Sequence, residues 1–174
     1  MRKIGYPDST MAFGGQSQQR WGDNSINAAD FIRDFQLTDL AGRVCHSFPT
    51  RGRSWILFAF FGLDGQSAQT LKVLQKLADG YKESGKLTVW GISQETDETL
   101  VRAFAAENGI TFPVMLDHHL YHSGLYGIPY APAVFLVASD GTVQRKALGH
   151  KPTVLSDMSK RIAAFAEIAE PVEI

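Results

Sequence analysis

Trp55-Ile-Leu-Phe-Ala-Phe-Phe61 runs directly into Gly62-Leu-Asp-Gly-Gln66, and Leu71, Leu74, Leu77, Ala78 and Tyr81 follow at three- and four-residue spacing. The first stretch is apolar without alternation, the pattern of a central strand covered on both faces. The glycine-containing break and the helical period after it predict a strand, a loop and a long helix ending near Gly85. Leu87-Thr-Val-Trp-Gly-Ile92 reads as a second buried strand. Two buried strands joined through a helix make a parallel crossover, which lays the helix on a face of the sheet.

Working outward, Thr96 is the expected N-cap of a second helix, with Asp97 and Glu98 suiting its dipole. Leu100, Val101, Phe104 and Ala105 form its apolar stripe, and Asn108-Gly109 stops it. Phe112-Pro-Val-Met-Leu116 predicts a short strand, His118 to Tyr126 a short helix, and Val134–Ala138 with Thr142–Leu148 a hairpin around Ser139-Asp140-Gly141. Thr153 is the expected cap of a last helix carrying Leu155, Met158, Ile162 and Phe165. On the N-terminal side, Phe35, Leu37 and Leu40 lead into a hairpin turning at Gly42. Residues 1–30, with Gly14-Gly-Gln-Ser-Gln-Gln19, show no sustained hydrophobic period and read as an irregular arm that Trp21 and Ile26 pin to the body. The domain proper is expected over 31–170. Its order of elements predicts an α/β fold, a three-layer α/β/α sandwich with a mixed central sheet.

A chain of 174 residues amounts to about one domain, large enough to bury a core without staples. Lysine and arginine number 17 against 18 acids, a formal net charge of −1, which disfavours nucleic-acid binding. No apolar run approaches the ~18 residues that a membrane helix needs. Met1-Arg-Lys-Ile-Gly-Tyr-Pro-Asp8 has no apolar core of a signal peptide, so a cytoplasmic location is expected, or an extracytoplasmic one had a signal been trimmed. Cys45 is the one cysteine, which excludes an intramolecular disulfide and any Cys-x-x-Cys site.

Three stretches in this order resemble the thioredoxin-like superfamily, in its redoxin branch of thiol–disulfide oxidoreductases and AhpC/TSA peroxiredoxins. Asp34-Phe-Gln-Leu-Thr-Asp-Leu-Ala-Gly-Arg43 is similar to that branch's opening hairpin. Ile56-Leu-Phe-Ala-Phe-Phe-Gly62 is similar to the strand that enters the active-site loop. Tyr126-Gly-Ile-Pro-Tyr-Ala-Pro-Ala-Val-Phe-Leu136 with Ser139-Asp-Gly141 is similar to the cis-proline loop, strand and turn. The strand and short helix at 112–126 are the βα insertion typical of redoxins. The resemblance covers about residues 34–168. It implies a cis bond between Ala131 and Pro132, in a loop that faces the active-site helix and pairs its backbone with extended peptides. It also implies a Cys-x-x-Cys, or one peroxidatic cysteine, where this chain has Gly65, Gln66, Ser67 and Ala68.

Gly65 and Ala68 stand where the two sulfurs would be, so the expected cleft keeps its shape and lacks its reagent. Thiol–disulfide exchange needs an attacking thiolate and a resolving thiol. Ser67 offers only an alcohol with no histidine nearby in sequence, a very weak nucleophile near neutral pH. Asp64 reads as the N-cap of the long helix, the alternative being a carboxylate of raised pKa in the cleft. Asp64, Gln66, Ser67, Ala131 and Pro132 are the candidate binding residues. Strand addition along the proline loop needs no cysteine, so peptide binding survives the loss of redox chemistry.

Two other constellations compete. Cys45, beside His46, is a candidate peroxidase nucleophile or redox sensor. Its place in the hairpin is expected to lie away from the cleft, with no helix N-terminus to activate it, which suits a small hydrophobe. His118 and His122, next to His119, would share one face of a helix and could hold a metal, with Asp117 or His150 as a third ligand. The leading expectation is a redoxin-like protein, non-catalytic, needing no cofactor, with a peptide or protein ligand at the former active-site cleft. The alternatives are a thiol oxidoreductase or peroxidase using Cys45, and a metal-binding module.

Overall fold

The computed structural model describes residues 25–174. The described elements begin with a hairpin, β1 (Gln36–Thr38) and β2 (Val44–His46), and a one-turn helix, α1 (Ser47–Arg51). It continues through β3 (Trp55–Phe61), α2 (Gly65–Tyr81), β4 (Leu87–Ser93), α3 (Glu98–Glu107), β5 (Val114–Leu116) and α4 (Tyr121–Leu125). β6 (Ala133–Val137), β7 (Val143–Leu148) and α5 (Pro152–Ala166) complete it. The main sheet has the order β5-β4-β3-β6-β7. β3, β4 and β5 run parallel, and β6 and β7 pair antiparallel. This is the expected α/β arrangement, a thioredoxin-like fold.

β3 explains its own unbroken apolar sequence. Leu57, Ala59 and Phe61 pack on one face with Leu71, Leu74, Leu77, Val101, Leu155 and Met158, from α2, α3 and α5. Ile56, Phe58 and Phe60 point the other way, against Phe35, Trp90, Tyr126 and Phe135. Successive strand residues alternate faces, so a strand buried on both sides loses its polar alternation. The second face is aromatic. Phe58 stacks on Phe135 with centroids 5.3 Å apart, and Tyr126 meets Phe58 edge-on at 5.7 Å. The Tyr126 hydroxyl donates to the Arg33 carbonyl at 2.7 Å, so a buried phenol keeps a partner, and burial pushes its pKa up.

Both edges of the sheet are partly covered. Leu40 donates its N–H to Val114, which fastens the hairpin to β5. Asp39, buried at the hairpin turn, accepts from the N–H groups of Ala41 and Arg43, and Gly42 supplies the left-handed φ of +81° that this turn needs. At the other edge, Ala29 and Val143 bond through backbone, and Phe31 bridges Thr142. Ile26 lies in the second core, as anticipated; Trp21 falls outside the described residues.

Three local expectations are corrected, and one element is new. Asp97, not Thr96, caps α3, its carboxylate accepting from the N–H groups of Thr99 and Leu100. α5 begins with Pro152 behind Lys151, so Thr153 is inside the helix. α1 was not anticipated. The segment from His118 to Tyr126 is a 3₁₀ turn at His118–Leu120 followed by α4, with His119 and Leu120 both left-handed (φ 58° and 53°).

Candidate functional site

β3 ends at Phe61, and the chain crosses Gly62 and Leu63 to Asp64, the N-cap of α2. Asp64 accepts from the Ser67 N–H at 2.9 Å and from the Ser67 hydroxyl at 3.1 Å. The same hydroxyl accepts from the Gly62 N–H at 3.1 Å. Asp64 is thus a capping residue, and its carboxylate satisfies one of the helix's unpaired donors. Ser67 is fully buried with its oxygen engaged on two sides, which removes it as a nucleophile. Gly65 is exposed at the first position of α2, and a Cβ placed there would meet nothing within 4 Å. The first turn is therefore open, and it carries no sulfur.

Opposite this turn, the Ala131–Pro132 bond is cis, as the resemblance implied. The Pro132 carbonyl accepts from the Gly149 N–H at 2.7 Å, which ties the loop to the turn after β7. Ala131 makes no backbone hydrogen bond among the described residues, so its N–H and C=O are available to a strand laid alongside. Beside them lies an open groove of about 450 Å³ lined by Gln66, Gln69, Tyr130, Leu148, Gly149, His150 and Lys151; of the binding residues expected from sequence only Gln66 lines it, and Asp64, Ser67, Ala131 and Pro132 do not. His150 is fixed there by a 2.9 Å contact between its Nδ1 and the buried hydroxyl of Thr70. Tyr130, His150, Lys151 and Gln69 were not picked out from sequence as lining this cleft. They come from three separate segments, and no contiguous motif joins them.

Cys45 is buried in β2, among the residues of the second core. Its neighbours Val44 and His46 share a surface hollow with Ser54, Gly85 and Thr88, at the starts of β3 and β4. The cleft lies beyond the other end of β3, a strand of seven residues that spans about 20 Å. The expectation that no helix start lies near the thiol is corrected, since α1 begins two residues later. That single turn does not activate it. Burial, and secondarily the Asp39 carboxylate, push the thiol from its usual 9.0 up to about 11. At pH 7 this leaves about one thiolate in ten thousand molecules.

Cys45 therefore behaves as a small buried hydrophobe, and Cys45→Ala should cost about 1 kcal/mol in urea unfolding at neutral pH. The buried thiol also gives a pH signature. Its stabilising contribution is complete below its ordinary pKa and is lost as pH rises through about 11. Between about pH 9 and 11 the native protein should lose stability that the alanine variant keeps.

The histidine cluster does not assemble as a metal site. The left-handed residues His119 and Leu120 interrupt the segment, so His118 and His122 do not share one helical face. His118 and His119 are exposed, whereas His122 turns its Nδ1 to Asp117 at 3.2 Å. His150 stands apart at the groove, its Nδ1 against Thr70. Among the described residues there is no group of three His, Cys, Asp or Glu placed to hold a metal. Asp117 has a different task. Fully buried, it accepts from the N–H groups of His122 and Ser123, each at 2.8 Å, and from the Ser123 hydroxyl at 2.6 Å. It anchors the start of the helix that leads to the proline loop.

Among the described residues, no helix is long and apolar enough to cross a membrane. Comparison with known proteins agrees with the geometry. Thiol-disulfide oxidoreductase ResA of Bacillus thuringiensis (strain Al Hakam) is 29% identical over 121 residues, 68% of each chain. The thioredoxin domain of a thiol-disulfide oxidoreductase from Bacteroides vulgatus has the same fold, with a TM-score of 0.69 at 19% identity over 79% of this chain and 99% of that one. So does peroxidoxin BcpB from Mycobacterium tuberculosis, with a TM-score of 0.66 at 14% identity over 83% and 99%. The family profile described as AhpC/TSA matches residues 28–146, from just before the opening hairpin into β7, and the chain belongs to the AhpC/TSA family.

Proposed function

We propose that this redoxin-fold protein performs no thiol–disulfide or peroxide chemistry, and that its cleft binds an extended segment of a peptide or protein. The observation that carries this reading is the pairing of an open cleft with a missing reagent. Gly65 and Ala68 occupy the first turn of α2, the available thiol is buried at the far end of the sheet, and Ala131, one residue from the Pro132 carbonyl that bonds the groove's Gly149, makes no backbone hydrogen bond among the described residues. An extended ligand would add its main-chain hydrogen bonds to Ala131 and lay alternate side chains over the groove.

A displayed library of ten-residue peptides, panned against the full chain, tests this. The selected peptides should shift the Ala131 amide resonance, and Gln66→Trp, which fills the groove from an exposed helix position, should weaken them at least tenfold. Failure to select any peptide that Gln66→Trp weakens would overturn the reading. So would turnover of a small disulfide or of hydrogen peroxide that disappears in Cys45→Ala.

A further inference from the structure

The groove has a charge preference built into its walls. Of its lining residues, Lys151 is the ammonium and His150 the imidazole, and among the described residues no aspartate or glutamate lines it. Lys151 is exposed and makes no ion pair among the described residues. The carboxylate nearest in sequence to the groove's helix side, Asp64, is held by the N–H and hydroxyl of Ser67. Because the Thr70 hydroxyl takes His150 Nδ1, the ring's other nitrogen, Nε2, is the one left for a ligand.

These groups converge. A Cβ built on Gly149 would lie 3.6 Å from Gln66 Oε1, 3.9 Å from a Tyr130 ring carbon and 4.0 Å from Lys151 Cε. Gly149 has no side chain, so a pocket opens there, with an amide, a phenol and an ammonium around its rim. Gln66 and Gln69 sit three residues apart on one face of α2, and neither side chain has a partner among the described residues. A phenolic hydroxyl and an ammonium donate hydrogen bonds, Gln66 donates once its amide, whose Oε1 faces Gly149, turns over to present Nε2, and a carboxylate can only accept.

We propose that the cleft selects acidic extended segments, with one Asp or Glu carboxylate of the ligand seated over Gly149 against Lys151, Gln66 and Tyr130. This rests on the peptide-binding reading and gives it a ligand class. Three ten-residue peptides that alternate valine with Glu, Gln or Lys are titrated calorimetrically into the full chain at low ionic strength. The Glu peptide should bind at least fivefold more tightly than the Gln peptide, and the Lys peptide more weakly than either. Lys151→Gln should abolish the Glu-over-Gln preference, and Lys151→Glu should invert the order of Glu and Lys peptides. Both variants change an exposed side chain, and an unchanged melting temperature confirms that they fold. The preference should also shrink in 0.5 M salt, as a surface charge contact must.

Equal binding of all three peptides, each weakened by Gln66→Trp, would overturn the charge preference and leave the peptide cleft standing. Binding of none of them, or binding that Gln66→Trp leaves intact, would overturn both. A Glu preference that survives Lys151→Gln would overturn the proposal by placing the selectivity elsewhere.

Discussion

Replacing Gly65 and Ala68 together by cysteine should give a protein that reduces insulin in the presence of dithiothreitol at least a hundredfold faster than the parent chain. The two positions are three apart in the first turn of α2, so helix geometry sets their Cα atoms about 5 Å apart, inside the range that a disulfide bridges. Gly65 is exposed, and a new side chain there enters open space. A thiol at that position lies among the unpaired N–H groups of a 17-residue helix, which stabilise its thiolate. That thiolate attacks a substrate disulfide, releases one substrate thiolate and forms a mixed disulfide. The second introduced thiol displaces the other substrate thiol, and dithiothreitol reduces the bridge left between positions 65 and 68. Gly65→Cys alone should trap the mixed disulfide without rapid turnover, because no second thiol resolves it. A double variant with an unchanged melting temperature and two titratable surface thiols, yet no gain in rate, would show that this cleft lacks more than its sulfur.

Asp117→Ala should lower the free energy of unfolding by about 3–5 kcal/mol, read from urea denaturation. The carboxylate is wholly enclosed and receives two backbone N–H groups and a hydroxyl, with the His122 ring beside it. An alanine leaves those donors buried without acceptors, at about 1–3 kcal/mol each, offset in part by the desolvation that the charge no longer costs. Asp117→Asn keeps an acceptor on one side only and should fall between the two. The same change loosens α4, which precedes the loop carrying Ala131 and Pro132, so the peptide affinity proposed for the cleft should drop along with stability. A loss below about 1 kcal/mol for the alanine variant would mean that water replaces the carboxylate, contrary to its enclosure.

Elements with long apolar periods were legible before the structure. β3 and α2 carry enough residues of one pattern to declare themselves, and the short hairpin at β6 and β7 is marked by Ser139-Asp140-Gly141. α1 escaped because Ser47-Phe-Pro-Thr-Arg51 is a single turn with a proline inside it, too short for any period to show. Thr96 and Asp97 are both capping types, and sequence does not choose between neighbours; at α5 the proline in the first turn was the stronger signal. The kink at His119 and Leu120 uses left-handed backbone without glycine, so nothing in the residue types announced it. The cleft was half legible. On its helix side Gln66 falls within the stretch singled out from sequence and Gln69 one turn beyond it, whereas Tyr130, His150 and Lys151 arrive by tertiary folding.

The covered borders of the sheet have a consequence for the fate of the molecule at high concentration. Unpaired strand borders are templates on which chains add to one another and grow into fibres. Here the hairpin pairs with part of one flank, at Val114 and Met115, and the segment at 29–31 pairs with the start of the other, at Thr142 and Val143. Main-chain groups already paired in this way, among the described residues, are withdrawn from an approaching copy, so the fold resists lateral growth along those stretches.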